Sequence, residues 1–141
     1  MRAVLQRASR ASVTVDGNVV AAFGRQGLVV LIGVTHEDGP AQVDVIARKI
    51  ADLRLLDGER SVVEASAPVI VVSQFTLYGD ARKGRRPTCN AAAPGPVAEP
   101  LVTAVVEALR GRGIDVATGV FGAHMEVELV NDGPVTLIVE A

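Results

Sequence analysis

The run Ser73-Gln74-Phe75-Thr76-Leu77 sets two hydroxyls and an amide directly after the apolar stretch Val69 to Val72. Polar side chains just past the end of a buried strand stand where α/β proteins hold ligands. The residues themselves leave two readings open, a ligand site or a self-satisfied strand end. No histidine or lysine lies in this run to activate a hydroxyl, and the chain has no G-x-S-x-G elbow. His36, Cys89 and His124 lie far apart in sequence, so no metal site is expected, and both histidines read as surface or strand-edge side chains. Gly79 to Arg86 resembles a phosphate loop only in its two glycines. It lacks the Lys-Ser/Thr pair, and Pro87 interrupts any following helix, which argues against nucleotide hydrolysis.

Asn131-Asp132-Gly133-Pro134 reads as a turn between two apolar strands. It is either an ordinary hairpin or a functional turn, and Gly-Pro is a good candidate for a cis bond because X-Pro is where cis is cheap. Net charge is −2, yet Arg82, Lys83, Arg85 and Arg86 fall in one short stretch, and Arg2, Arg7 and Arg10 form a second group. A local basic strip on a mildly acidic chain suits a polyanion bound at one place, or else a solvated loop.

The elements that must position these residues follow from periodicity. Residues 2–8 and 11–15 read as strands, with a hairpin turn at Asp16-Gly17-Asn18 and a return over Val19 to Phe23. Leu28 to Val34 and Val69 to Val72 are continuous apolar runs, as in strands buried on both faces. Residues 41–55 place Val43, Ile46, Ile50 and Leu53 on one helical face, and residues 97–110 do the same with Leu101, Val105 and Leu109. Strands are expected near 114–118, 124–130 and 135–140, the last two joined by the Asn131–Pro134 turn. This order predicts one domain over residues 1–141. Its class is a mixed α/β fold with a β-rich, partly barrel-like core and two main helices packed on one side, layered α/β/β. Hydrophobic residues at 49% suit a packed globule, and aromatics at 3% leave the core to Val, Leu, Ile and Ala. The lone Cys89 fits a reducing cytosol, and no signal-peptide or membrane-spanning run is expected.

Ser73 to Leu77 and Asn131 to Thr136 resemble the two signatures of the D-aminoacyl-tRNA deacylase family, Ser-Gln-Phe-Thr-Leu and Asn-x-Gly-Pro-Val-Thr. The resemblance extends through Leu5 to Val13, Gly24 to Gly33, Arg86-Pro87 and Thr118 to Met125. It departs at Tyr78-Gly79 and at Cys89. It implies a cytoplasmic homodimer, without metal or organic cofactor, that hydrolyses the ester of D-aminoacyl-tRNA and of glycyl-tRNA. It implies catalytic roles for Ser73, Gln74, Phe75 and Thr76, with main-chain N–H groups near Phe75 and Thr76 polarising the ester. Water is the preferred attacking group in that scheme, assisted by the ribose 2′-hydroxyl, with Thr76 as a covalent nucleophile the alternative, and Phe75 contacts the adenine. Gly133 and Pro134 are expected to form a cis turn that reaches the partner subunit's site and excludes L-amino acids. Arg7, Met125 and Asn131 take supporting roles, while Arg82, Lys83, Arg85 and Arg86 meet tRNA phosphates. A non-catalytic RNA-binding module is the alternative that the basic loop serves equally well.

Overall fold

The computed structural model describes residues 1–141. Strand β1 (Arg2–Val15) turns through Asp16-Gly17 into β2 (Asn18–Phe23). Both turn residues have positive φ, 49° and 78°, which matches the twist of a tight hairpin. β3 (Gly27–Gly33) then pairs with the first half of β1, while β2 pairs with the second half. Helix α1 (Pro40–Asp52) carries the chain to the short α2 (Val62–Ala65) and on to β4 (Val69–Ser73), parallel to β3. A 3-10 turn (Phe75–Tyr78) and the basic loop lead to α3 (Gly95–Arg110), after which β5 (Val116–Thr118) lies parallel to β4. β6 (Glu126–Glu140) closes the chain against β1.

The sheet order is β2-β1-β3-β4-β5, with β6 on the other edge of β1. α1 and α3 pack together against one face. There Ala3, Leu5, Leu28, Val30 and Ile32 meet Ile46, Ile50, Val105 and Leu109. The opposite face curls over a second, smaller core of Ala8, Ala11, Val13, Val29, Ile70 and Val72, covered by Met125, Val127 and Leu129. β2 comes close to β5 without a ladder, so the sheet nearly closes. This is the expected mixed fold with two main helices on one side.

β1 serves both cores because it changes faces. Ala8 pairs with Asn131 and Arg10 with Val130, so Ser9 is an extra residue in the ladder. Such a bulge bends a strand and resets which side chains point inward. Residues 2–8 and 11–15 are therefore halves of one strand, not two strands.

The expected pair of closing strands is corrected in the same way. Residues on both sides of Gly133-Pro134 pair with β1 in one continuous antiparallel ladder, from Thr14↔Glu126 to Arg2↔Glu140. A hairpin would have returned residues 135–140 against 126–130. Between the pairs Gln6↔Thr136 and Ala8↔Asn131, β1 has one residue, Arg7, and β6 has four. Asp132 to Val135 thus loop out of the ladder as a wide bulge. The local turn signal was real, but pairing along β1 overrides the reversal that such residues usually make.

No helix is long and apolar enough to cross a membrane.

Candidate active site

A cavity of about 530 Å³ opens at the C-terminal ends of the parallel strands β3 and β4. Its floor is Ile32, Val34 and Val72, and Ser73, Gln74 and Phe75 stand on its wall. Four of the expected site residues reach it: Ser73, Gln74, Phe75 and Met125. The hydroxyl of Ser73 has no hydrogen-bond partner within the protein. Phe75 is 62% exposed, so a large aromatic face waits at the cavity mouth.

The segment after Ser73 is not an extension of the strand. Gln74 N–H donates to Ile32 O at 2.7 Å, and the chain then winds into the 3-10 turn, with Leu77 N–H on Gln74 O at 3.2 Å and Gly79 N–H on Thr76 O at 2.9 Å. The first amides of such a turn have no acceptor inside it. Accordingly, the N–H groups of Phe75 and Thr76 donate to no protein atom. Thr76 is exposed and is not among the residues that line the cavity, and its hydroxyl accepts from the Gln74 amide.

Two contacts from Arg2 hold this turn. Arg2 donates to Leu77 O at 2.6 Å and lies over the Tyr78 ring, 5.1 Å from its centroid. Arg2 is itself tied to Glu140 at 2.5 Å. Burial, with Asp38 nearby, raises the Tyr78 phenol above its ordinary value, so it stays neutral.

The far wall comes from segments that the sequence did not mark as functional. Phe121, Gly122, Ala123 and His124 line it, with Cys89, Ala92 and Ala93. Cys89 and His124, distant in sequence, are thus brought to one cavity, whereas His36 is exposed and contacts Asn90 O. The signal available was the long irregular stretch after Thr118, in which the family resemblance gave a role to Met125 alone.

The remaining expected residues gather elsewhere. Arg7, Asn131, Gly133 and Pro134 sit at the β6 bulge, and none of them lines the cavity. Gln6 closes the neck of the bulge: it donates to Asn131 at 2.5 Å and accepts from the Thr136 hydroxyl at 2.9 Å. Arg7 reaches inside, donating to Asp132 O at 2.9 Å and to Leu55 O at 3.0 Å. The Gly133-Pro134 peptide is cis, as expected from the sequence. Gly133 has φ +124°, a backbone conformation that strains any residue with a side chain, so the position favours glycine.

The basic loop is pinched by the Asp80↔Thr88 bridge, and residues 81–88 are exposed. Its cations differ in availability. Arg82 makes a paired contact with the Asp80 carboxylate at 2.9 and 2.7 Å, which lowers the Asp80 pKa and raises that of Arg82. Lys83, Arg85 and Arg86 have no acidic partner.

A family model described as D-Tyr-tRNA(Tyr) deacylase matches residues 4–140. A relative from Kineococcus radiotolerans named D-aminoacyl-tRNA deacylase is 66% identical over 141 residues, covering 100% of both chains. One of the same name from Streptomyces coelicolor is 59% identical over 140 residues, covering 99% of each. Among solved structures, one described as c-Myc DNA Unwinding Element Binding Protein superposes with a TM-score of 0.91 at 39% identity, over 100% of this chain and 99% of that one. Another, described as a probable eukaryotic D-amino acid tRNA deacylase, gives 0.85 at 17% identity over 99% and 98%, a likeness of fold.

Proposed function

The chain belongs to the D-Tyr-tRNA(Tyr) deacylase family, and on that premise we propose that it hydrolyses the ester joining a D-amino acid to the terminal adenosine of tRNA. The observation that carries this reading is the pair of unpartnered N–H groups at Phe75 and Thr76, beside a cavity walled by Ser73 and Gln74. Two fixed donors of this kind stabilise the oxyanion that develops as an ester carbonyl is attacked. One such donor is typically worth about 3 to 4 kcal/mol of barrier, which is ample for an ester already activated by its adenosine leaving group.

Phe75 offers its exposed face to the terminal adenine. Ser73 and Gln74 position the ester and the attacking water, and the substrate's own 2′-hydroxyl assists the attack. Lys83, Arg85 and Arg86 take tRNA phosphates. The reaction uses no metal and no organic cofactor. Its place is the cytoplasm, where aminoacyl-tRNA is made and used.

Selectivity is assigned to the Gly133-Pro134 bulge, with Asn131 at its base, acting across a homodimer. β6 supports the dimer, because its outer edge has no ladder partner along 15 residues and exposes Leu137 and Ile138 at 38% and 68%. A long apolar edge of this kind calls for a covering chain. A second copy would bring the bulge carbonyls of one protomer toward the cavity of the other. A rigid backbone wall that blocks the L direction needs no knowledge of the D side chain, so many D-amino acids pass. Glycine has no side chain to block and passes too.

The test is incubation with matched D-tyrosyl-, L-tyrosyl- and glycyl-tRNA. Release of D-tyrosine and glycine with L-tyrosyl-tRNA intact is expected. Binding without release would leave an RNA-binding module, and comparable turnover of both enantiomers would remove the filter.

A further inference from the structure

Gln26 joins two segments that chain order keeps apart. Its amide nitrogen donates to the Asp132 carboxylate at 2.7 Å, and its carbonyl oxygen accepts the Asp57 N–H at 2.9 Å. A carboxylate only accepts and an N–H only donates, so this pair of partners fixes the orientation of the amide. Arg7 ties the same two segments from the other side, through Asp132 O and Leu55 O. The loop between α1 and α2 is therefore fastened to the β6 bulge twice.

The two fastenings hold different atoms of Asp132. Arg7 holds the backbone carbonyl at 2.9 Å, while its Nε stands 3.8 Å from the Asp132 carboxylate. That second distance is too long for a hydrogen bond. Gln26 makes the short contact to the carboxylate and so keeps it away from Arg7. A guanidinium–carboxylate contact is stronger than a guanidinium–carbonyl one. An untethered Asp132 carboxylate would therefore recruit Arg7, release the carbonyl and let the Asp132–Gly133 peptide turn. Gly133 has no side chain to clash as that peptide turns.

We propose that Gln26 is a positioning residue for selectivity: by holding the Asp132 carboxylate it keeps Arg7 on the Asp132 carbonyl and so fixes the Gly133-Pro134 backbone. The inference rests on the reading of that bulge as the filter. It gives a role to a residue outside the cavity, at the corner between β2 and β3.

The experiment compares D- and L-tyrosyl-tRNA turnover by the parent protein, Gln26→Ala and the double variant Gln26→Ala/Asp132→Ala, with glycyl-tRNA as the reference substrate. Gln26→Ala is expected to lower the D-over-L ratio of kcat/KM by about tenfold or more, the worth of one charge-assisted hydrogen bond. Its turnover of glycyl-tRNA stays near the parent's, which loss of fold would not allow. In the double variant no carboxylate remains to recruit Arg7, so the ratio returns toward the parent's. A selective parent with an equally selective Gln26→Ala overturns the inference and leaves the filter standing. So does a double variant as relaxed as the single one. A parent that does not discriminate overturns both, and its own ratio shows that the filter reading failed first.

Discussion

Gly33 and Leu77 pack so closely that a Cβ built on Gly33 falls 3.0 Å from the Leu77 Cβ and 3.0 Å from the Gln74 carbonyl oxygen. The end of β3 is thus the surface on which the 3-10 turn rests, and the free amides of Phe75 and Thr76 take their direction from it. Gly33→Ala is expected to push the turn outward by a few tenths of an ångström. Overpacking of this sort costs about 1 to 3 kcal/mol of stability, and a misplacement near 1 Å costs up to about a hundredfold in rate. Turnover should fall while binding of uncharged tRNA is kept, since the basic loop is untouched. Full activity in a folded Gly33→Ala protein would separate the turn from the chemistry.

The basic loop separates its cations by partner. Arg82 is already engaged by Asp80, whereas Lys83, Arg85 and Arg86 are free to meet phosphates. Replacing Arg85 and Arg86 with Ala should weaken tRNA binding and flatten its dependence on salt, by about 0.7 to 0.9 in the log–log slope for each phosphate no longer neutralised. Arg82→Ala should change the slope less, because its charge is already neutralised by Asp80. Binding titrations at several salt concentrations decide this, and an unchanged slope for the double variant would leave the loop as solvated surface.

The buried strands and both long helices were legible because their signals are local: apolar runs for β3 and β4, 3.6-residue spacing for α1 and α3. What was not legible depends on partners. Asn131-Asp132-Gly133-Pro134 carries the letters of a turn, and only the ladder to β1 shows that the chain continues straight. Phe75 to Tyr78 carried no signal for any element beyond the end of the apolar strand, and its winding depends on Gly33 beneath and Arg2 across it. His124 and Cys89 share a cavity through tertiary folding alone. One miss had a signal in plain view: Ser61 and Glu64 are spaced as a capping box, and they do cap α2, with Ser61 N–H on Glu64 at 2.7 Å.

Arg112 clasps Asp52 at 2.5 and 3.1 Å and ties the end of α1 to the residues just after α3. The Arg112 hydrogen bonds lower the Asp52 pKa below its ordinary value of 3.8, against a smaller opposing effect of burial. A carboxylate with a depressed folded value contributes stability above its unfolded value and loses it as pH falls through the folded one. Both groups are near the surface, so the contribution at neutral pH is under about 1 kcal/mol and weakens with salt. Arg112→Ala should therefore melt slightly below the parent at pH 7. The two melting temperatures should converge as the buffer is taken below pH 3.8. A gap that persists in strong acid would mean that Arg112 acts through packing instead.

A threonine nucleophile must lose its proton to a neighbouring base. The Thr76 hydroxyl meets the Gln74 amide. In that orientation the amide donates into the oxygen and makes it a poorer nucleophile; reversed, the amide carbonyl accepts its proton without being basic enough to take it. Thr76 is also outside the residues that line the cavity. Thr76→Ala is thus expected to keep measurable turnover, because the backbone amides remain, and no acyl-enzyme should be trapped in the parent. Phe75→Ala should instead raise KM, through a stacking loss of about 1 to 3 kcal/mol. His124 is the one imidazole on the cavity wall, so it must be tested as a base. His124→Ala should leave the pH profile of kcat/KM unchanged in the neutral range where histidines titrate. A substrate ending in 2′-deoxyadenosine should be hydrolysed far more slowly than its ribose counterpart, since the assisting hydroxyl is gone. A covalent adduct on Thr76, or full activity on the deoxy substrate, would overturn the water mechanism.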